Sequence, residues 1–497
     1  MGADFDVLIV GAGLSGIGTA CHLTMKCRGK SYAILEARGA IGGTWDLFRY
    51  PGIRSDSDMY TLGYSFEPWT DCKAIADGPS IRAYVEDTAR DYGVTPHIRF
   101  GHEVERVSWS SQDALWSVEA ETPEGPRTLT CRFLMMCSGY YSYSEGYRPD
   151  FPGEEKFAGT FVHPQFWPEQ LDHAGKNVVV IGSGATAVTL VPEMAKTAAH
   201  VTMLQRSPSY VVSRPSTDGI AERLKKLLPP MLAYRLTRAK NVGLQMFFYR
   251  LARSRPAKVK AKMIEMVRNE LGQDYDVGTH FTPRYNPWDQ RVCLVPDGDL
   301  FEAIRAGRAS VATGTLESFT EGGIRLASGA EIPADIVVTA TGLKLNLMGG
   351  AAVEVDGVRQ DLSKALSYKA IMFSGVPNLA YIFGYTNASW TLKADLAADY
   401  VCRLINHMDA KGYASAVPIP GEDVKPEPFL DFTSGYVQRA LATLPKQGDR
   451  APWRLRQNYA FDLVTLRRGK IEDGTLRFER PPAAAKAPVS TPAAAPA

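Results

Sequence analysis

Short runs of branched apolar residues that stop at a glycine, each followed by apolar positions at helical spacing, recur along this chain. Asp6-Val-Leu-Ile-Val10 ends at Gly11 and gives way to a helical pattern through Met25, after which Ser31-Tyr-Ala-Ile-Leu35 reads as a second strand. The same order returns at Asn177-Val-Val-Val-Ile181, a loop from Gly182, a helix to about Lys196 and a strand at Val201–Leu204. Strand, tight turn, helix and strand make a βαβ unit, and two such units imply mostly parallel sheets flanked by helices. The predicted class is α/β, with two Rossmann-like dinucleotide-binding domains.

Two further apolar runs, Phe133–Gly139 and Ile336–Gly342, end alike and mark crossings from one nucleotide domain to the other. From Gly219 to Leu271 the pattern is helical, broken at Pro229-Pro230 and Pro256, which predicts a helical insertion in the second domain. Val376–Gly384 reads as a return to the first. The expected boundaries are 1–145 and 346–480 for the first domain, 146–218 and 281–345 for the second, and 219–280 for the insertion. Residues 481–497 are Pro/Ala-rich, offer nothing to bury and are expected to be a disordered tail.

At 497 residues, 45% hydrophobic and 22% charged, the chain is long enough for several ordinary globular domains. A net charge of +2 is no argument for a nucleic-acid partner. Seven scattered cysteines without a C-x-x-C speak against a secreted disulfide framework or a zinc ribbon, and no metal site is expected. With no signal-peptide pattern and no apolar run near the ~20 residues of a membrane span, a cytoplasmic location is expected. Charge is uneven, however: thirteen basic residues against three acidic ones lie between Ile220 and Leu271, interleaved with Leu227, Leu228, Met231, Leu232, Met246, Phe247 and Phe248. Solvated helix faces are the commoner explanation, and peripheral attachment to anionic lipid is the alternative.

Chemistry enters at the glycines. In Gly11-Ala12-Gly13-Leu-Ser15-Gly16, following a strand and opening a helix, Gly11 permits the turn, Gly13 lets a pyrophosphate approach, and Gly16 lets helix and strand pack. Glu36 ends the next strand and is placed to accept hydrogen bonds from an unmodified ribose, which argues for FAD or NAD. The second loop is Gly182-Ser183-Gly184-Ala-Thr186-Ala187. There the next strand ends in Gln205-Arg206-Ser207 instead of a carboxylate; a guanidinium can grip a 2′-phosphate that a carboxylate would repel, so NADPH is expected in this domain.

Three longer runs surround these loops. Gly42-Gly43-Thr44-Trp45 continues through Tyr50-Pro51-Gly52 to Asp56; Phe157-Ala-Gly159-Thr-Phe-Val-His163-Pro-Gln-Phe-Trp167-Pro168 precedes the second loop; Tyr285-Asn-Pro-Trp-Asp-Gln-Arg291 comes later. Together they resemble the signatures of class B flavoprotein monooxygenases of the type I Baeyer–Villiger kind, and the likeness runs through nearly the whole chain. The resemblance implies FAD in the first domain, contacted also by Gly43, Thr44, Trp45 and Asp56, and NADPH in the second. It implies conversion of ketones and O2 to esters or lactones through a C4a-peroxyflavin, and oxidation of thioether or thioamide sulfur. It makes Arg291 the catalytic cation, held by Asp56, and gives Phe157, Gly159, His163, Trp167 and Pro168 a part in coupling domain movement to cofactor binding. Tyr140, Tyr141, Asn387 and Trp390 fall where family members line the substrate pocket. Two departures stand out: Gln290 where cyclic-ketone members carry Lys, and no C-terminal W-x-x-G-A-N.

Rival readings are weaker. An N- or S-oxygenating flavin monooxygenase would end the fingerprint in aromatic-Lys/Arg instead of Trp167-Pro168 and does not call for Arg291. A disulfide reductase needs a cysteine pair where this chain has Trp45, and a flavin-binding sensor would consume no NADPH.

Overall fold

Between Val7 and Val10 the first strand carries no polar side chain, because both of its faces are covered. Val7 and Ile9 turn toward the helices Leu14–Lys26 and Trp390–Lys411, while Leu8 and Val10 turn toward a layer holding Val107, Trp116 and Val118. The computed structural model describes residues 2–290, 292–430 and 432–481; Arg291 and nearly all of the tail expected from 481 lie outside the described residues.

Phe5–Val10 sits at the centre of the first sheet, parallel to Tyr32–Glu36 on one side and Arg127–Met136 on the other, with Ile9 opposite Ile34 and Met135. Leu379–Tyr381 adds a further parallel pairing beyond Arg127–Met136, so Val376–Gly384 does return to this sheet. Glu103–Ser110, Leu115–Glu121 and Arg127–Met136 form an antiparallel meander. The second sheet has five parallel strands, in the order Ala309–Thr313, His200–Gln205, Asn177–Ile181, Ile336–Thr339 and Thr160–Val162. Alternation again assigns its faces. Val178 and Val180 meet Leu190, Val191 and Phe301 of the helices, and Val179 meets Phe319 and Ile324 of a small antiparallel sheet.

Beyond Met136 and Thr339 the chain passes between the two sheets. The outgoing segment Tyr141–Gly146 pairs antiparallel with the returning Leu343–Leu345, so both crossings form one two-stranded ribbon.

The helices of the insertion are Gly219–Leu227, Pro230–Ser254 and Pro256–Leu271, and the expected proline breaks become first-turn prolines of the last two, where a missing N–H costs nothing. Packing departs from sequence order. Only Val267 and Leu271 join the second core, whereas Ala221 and Tyr234 belong to the first. Arg238, counted among the basic surplus, is not on a solvated face at all. Its Nη1 donates to the carbonyls of Tyr60 (2.8 Å) and Gly63 (2.6 Å), and its Nη2 lies 3.4 Å from Asp395 Oδ2. The Tyr234 hydroxyl donates to the Tyr64 carbonyl at 2.8 Å. These carbonyls have no water to turn to, so a long cationic side chain from the insertion satisfies them and bridges the two halves.

Arg238→Leu leaves the Tyr60 and Gly63 carbonyls and part of the Asp395 carboxylate unpaired in a dry site. We expect a loss of about 3–5 kcal/mol of stability, measured by urea unfolding of the purified variant; a loss below about 1 kcal/mol would show that this bridge is dispensable.

Candidate active site

The first glycine loop is built by backbone crowding. Gly11 has φ +101°, and a Cβ there would stand 2.8 Å from the Cys137 carbonyl oxygen; one at Gly16 would stand 1.8 Å from that of Gly11. No side chain caps the helix that starts at Leu14, so its first N–H groups face outward as an anion site. Glu36 is buried at the strand end. One carboxylate oxygen accepts from the Ala12 N–H (2.6 Å) and the other from the Arg38 N–H (2.9 Å). Burial pushes the Glu36 carboxyl above the usual range, and these two N–H groups work against that push.

The Gly43 loop leans on the first. Gly43 has φ +56°, and a Cβ there would stand 2.9 Å from the Gly13 Cα. Thr44–Leu47 is a short helical turn in which Trp45 packs half-buried on the first core. Asp46, which sequence reasoning passed over, anchors this turn: its buried carboxylate receives Arg38, Arg49 (3.1 Å) and Arg82 (3.0 Å). Those cations hold its pKa below the usual range despite burial. A carboxylate three residues past a glycine pair was its only signal.

In the second loop Gly182 has φ +142°, with the Ala340 carbonyl oxygen 2.3 Å from a would-be Cβ, while Gly184 faces open space where a pyrophosphate can approach. Ala187 is fully buried against the sheet. The Ser183 hydroxyl lies 2.9 Å from that of Ser209 and 3.3 Å from the Ser207 carbonyl. Arg206 is exposed at the strand end. The Tyr50–Gly52 corner docks here: Tyr50 is buried and hydrogen-bonded to Thr186, its phenol pushed up to about 12 by burial, and a Cβ on Gly52 would stand 3.0 Å from the Glu193 Cβ.

Both loops open onto one continuous cleft of about 2130 Å3, which also takes in Glu36, Asp56, Tyr140, Tyr141, Arg206, Asn387 and Trp390. Tyr140 stacks on Trp390 with ring centroids 4.9 Å apart and planes 13° from parallel, and its hydroxyl lies 2.6 Å from that of Tyr141. Trp390 Nε1 donates to Ser15 Oγ at 2.8 Å, tying this aromatic wall to the first loop. Asn387 Nδ2 donates to the Gln457 carbonyl at 2.9 Å, so the bend from Thr386 is held by the C-terminal segment. Gln290 and Val292 line the same cleft as Asp56. Arg291 is outside the described residues.

The fingerprint residues stand elsewhere. Phe157 is buried beneath the small antiparallel sheet; a Cβ on Gly159 would meet the Asp335 carbonyl at 2.4 Å; Trp167 is half-buried on the second core and Pro168 is exposed. His163 presses on the crossing ribbon, where a Cβ on Gly146 would lie 2.0 Å from its Cε1. Its Nδ1 accepts from the Gln165 N–H at 3.2 Å, and burial lowers its pKa, keeping it neutral. None of these five lines the cleft. One residue that does was missed: Arg439, from the short helix Gly435–Ala440, lies 3.3 Å over the Tyr147 ring beside Gly342. Burial holds its guanidinium below the usual value, and the nearby Arg206 adds to that depression. An isolated arginine in a segment with no motif carried no signal.

Two glycine loops facing one cleft define a protein that holds two dinucleotides side by side. Residues 73–347 match the flavin-binding monooxygenase-like family, and residues 9–71 match the NAD(P)-binding Rossmann-like domain. The FAD-containing monooxygenase EthA of Mycobacterium tuberculosis is 56% identical over 480 residues, 96% of this chain and 98% of that protein. The probable FAD-binding monooxygenase AlmA of Acinetobacter baylyi is 48% identical over 479 residues, 96% of each chain. Among solved structures, oxidised steroid monooxygenase bound to NADP superposes with a TM-score of 0.73 at 22% identity, over 96% of this chain and 99% of that one, a likeness of fold. The chain belongs to the flavin-binding monooxygenase-like family.

We propose that ribose hydroxyls donate to the ionised Glu36 carboxylate, whose pKa is raised by burial. On that reading dinucleotide affinity is full above the pKa of the empty site and falls tenfold per unit below it. With that pKa above the ordinary value of about 4.3, the affinity of apoprotein for FAD should begin to fall at a pH above that value, and Glu36→Gln should abolish the dependence. A flat affinity down to the ordinary carboxylate range would contradict this role.

Proposed function

We propose that this protein is an NADPH-dependent Baeyer–Villiger monooxygenase, taking a ketone, O2, NADPH and a proton to an ester or lactone, NADP+ and water. The observation that carries the reading is that both glycine loops, the Asp56 corner and the Tyr140–Trp390 wall open onto one cleft.

The residues fit both cofactors. Glu36 beside the first loop suits the free ribose hydroxyls of FAD and would repel a 2′-phosphate, and the Gly43–Trp45 turn closes over that loop. The match of this stretch to an NAD(P)-binding domain reflects a glycine loop common to dinucleotide sites. At the second loop Gly184 leaves room for a pyrophosphate, and Arg206 replaces the carboxylate, which suits NADPH. Gln290 brings no charge, and Arg439 offers a second cation to the same nucleotide.

FAD, when bound, would supply the redox chemistry that takes electrons from NADPH and activates O2, the source of the transferred oxygen atom. The protein's own part is to orient and to stabilise charge. Arg291 is the catalytic cation: negative charge grows on the former carbonyl oxygen as the ketone is attacked, and a guanidinium that never deprotonates stabilises it. Asp56, which lines the same cleft as Gln290 and Val292, positions that arginine. The aromatic wall excludes water and favours apolar, open-chain and aryl ketones; thioether and thioamide sulfur suits the same slot. His163, off the cleft and against the ribbon, serves coupling between the two halves, as do Phe157, Gly159, Trp167 and Pro168.

Arg206→Ala should weaken NADPH about 10- to 100-fold while leaving NADH nearly unchanged, since only the charge-assisted contact to the 2′-phosphate is lost. Equal weakening of both coenzymes in steady-state kinetics would refute the assignment.

Arg291→Ala separates the two halves of the cycle. NADPH consumption should continue, with its electrons returned to O2 as hydrogen peroxide, while ester formation from a methyl ketone falls about 10²–10³-fold. Asp56→Ala should show a milder form of the same uncoupling. Ester formation near the wild-type rate in Arg291→Ala, followed by mass spectrometry, would remove the arginine from the mechanism and with it the Baeyer–Villiger reading.

A further inference from the structure

Seven of the twelve large apolar side chains that are exposed among the described residues fall on two neighbouring helices, Gly219–Leu227 and Pro230–Ser254. Scattered exposed apolars need no explanation, but a cluster does. On the longer helix Leu232, Leu236, Ala239, Gly243 and Phe247 follow at spacings of four, three, four and four, which places them in one row. All five are exposed, and the buried Tyr234, Arg238 and Val242 occupy the other side of the helix. Ile220 and Leu227 continue the apolar surface on the shorter helix, at 53% and 78% exposure.

The rim of this row is cationic. Arg235 and Arg250 flank it and Lys226 adjoins Leu227, and none of the three forms an ion pair among the described residues. Arg238, Lys240 and Arg253, by contrast, are taken up by Asp395, Asp218 and Asp289. The basic surplus seen in the sequence thus sorts into internal pairs and an outward set bordering exposed leucines and phenylalanine. An apolar row with unpaired cations at its edge matches the boundary of an anionic lipid leaflet, where side chains enter the acyl region and cations meet headgroups. A second copy of this chain would face Arg235, Arg250 and Lys226 with the same charges, which disfavours self-pairing. No described helix is long and apolar enough to cross a membrane.

We infer that these two helices dock the protein peripherally on an anionic lipid surface. Leu244 and Phe248, one step around the same helix from the exposed row, line the cleft. The docked face therefore adjoins the cleft mouth, and an apolar substrate dissolved in the bilayer can enter there without crossing water. Only that last consequence rests on the proposed function.

The test is flotation of the FAD-loaded full chain with phosphatidylcholine vesicles, with and without phosphatidylglycerol. We expect flotation with phosphatidylglycerol vesicles at low salt and release at high salt. Leu236→Glu/Phe247→Glu should weaken binding by about tenfold or more, and Arg235→Gln/Arg250→Gln should weaken it on anionic vesicles. Flavin content, circular dichroism and NADPH oxidation in solution should be unchanged in both. Wild-type protein that stays at the bottom of the gradient, or variants that float like wild type, would overturn the inference. So would self-association without vesicles that the same substitutions abolish. Flotation in a protein that oxygenates no ketone would count against the proposed function and leave the docking intact.

Discussion

Each nucleotide loop of this protein is pinned by one backbone contact that admits no side chain. The Cys137 carbonyl oxygen would stand 2.8 Å from a Cβ on Gly11, and that of Ala340 would stand 2.3 Å from one on Gly182. In both cases the carbonyl belongs to the strand end from which the chain departs toward the other sheet. Two consequences follow from one steric constraint. The helix N-terminus is held where an anion can reach its N–H groups, and the crossing segments leave from beside the two loops. Pairing of Tyr141–Gly146 with Leu343–Leu345 then places both loops on the same opening. The cleft is a product of this arrangement more than of any single side chain.

What surrounds the loops is a set of tethers running between distant segments. Asp46 gathers three arginines and fixes the turn over the first loop; Tyr50 and Gly52 of the next few residues dock on the helix after the second. Asp58 accepts from Asn241 and Gln245, and Arg238 reaches the carbonyls at Tyr60 and Gly63, so the helical insertion is bound to the segment that carries Asp56. Burial raises the Asp58 carboxyl above its usual range, with the Asn241 and Thr61 donors opposing it. The Asp46 cluster stiffens the first half internally, while the ties of Asp58 and Arg238 run between that half and the insertion, leaving loop surfaces open to cofactor and substrate.

The strands, the glycine loops and the proline-bounded helices were legible because each depends on residues within one short window. A run of valines ended by glycine forms a strand and turn wherever it is placed, and Pro230 and Pro256 open helices for local reasons of φ and missing N–H. Glu36 and Arg206 could be contrasted from sequence alone, since position at a strand end and sign of charge suffice for the comparison. The resemblance of Gly43–Asp56 and Phe157–Pro168 to monooxygenase signatures pointed to the family to which the chain belongs.

Pairing between remote segments was not legible, because nothing local to either partner specifies it. Arg238 looked like one more cation on a solvated face until its neighbours proved to be carbonyls of residues 60–63, and Arg439, which belongs to no motif, gained a role only when the fold set it beside Tyr147 and Arg206. The sequence by itself determined which elements form and where the two glycine loops and the charges beside them fall, since these follow from local sterics and residue type. Only the tertiary structure decided that the insertion divides between the two cores, that His163 stands off the cleft against the ribbon, and which of the basic residues face outward, because each is settled by how much water and which partners remain once distant segments have closed around them.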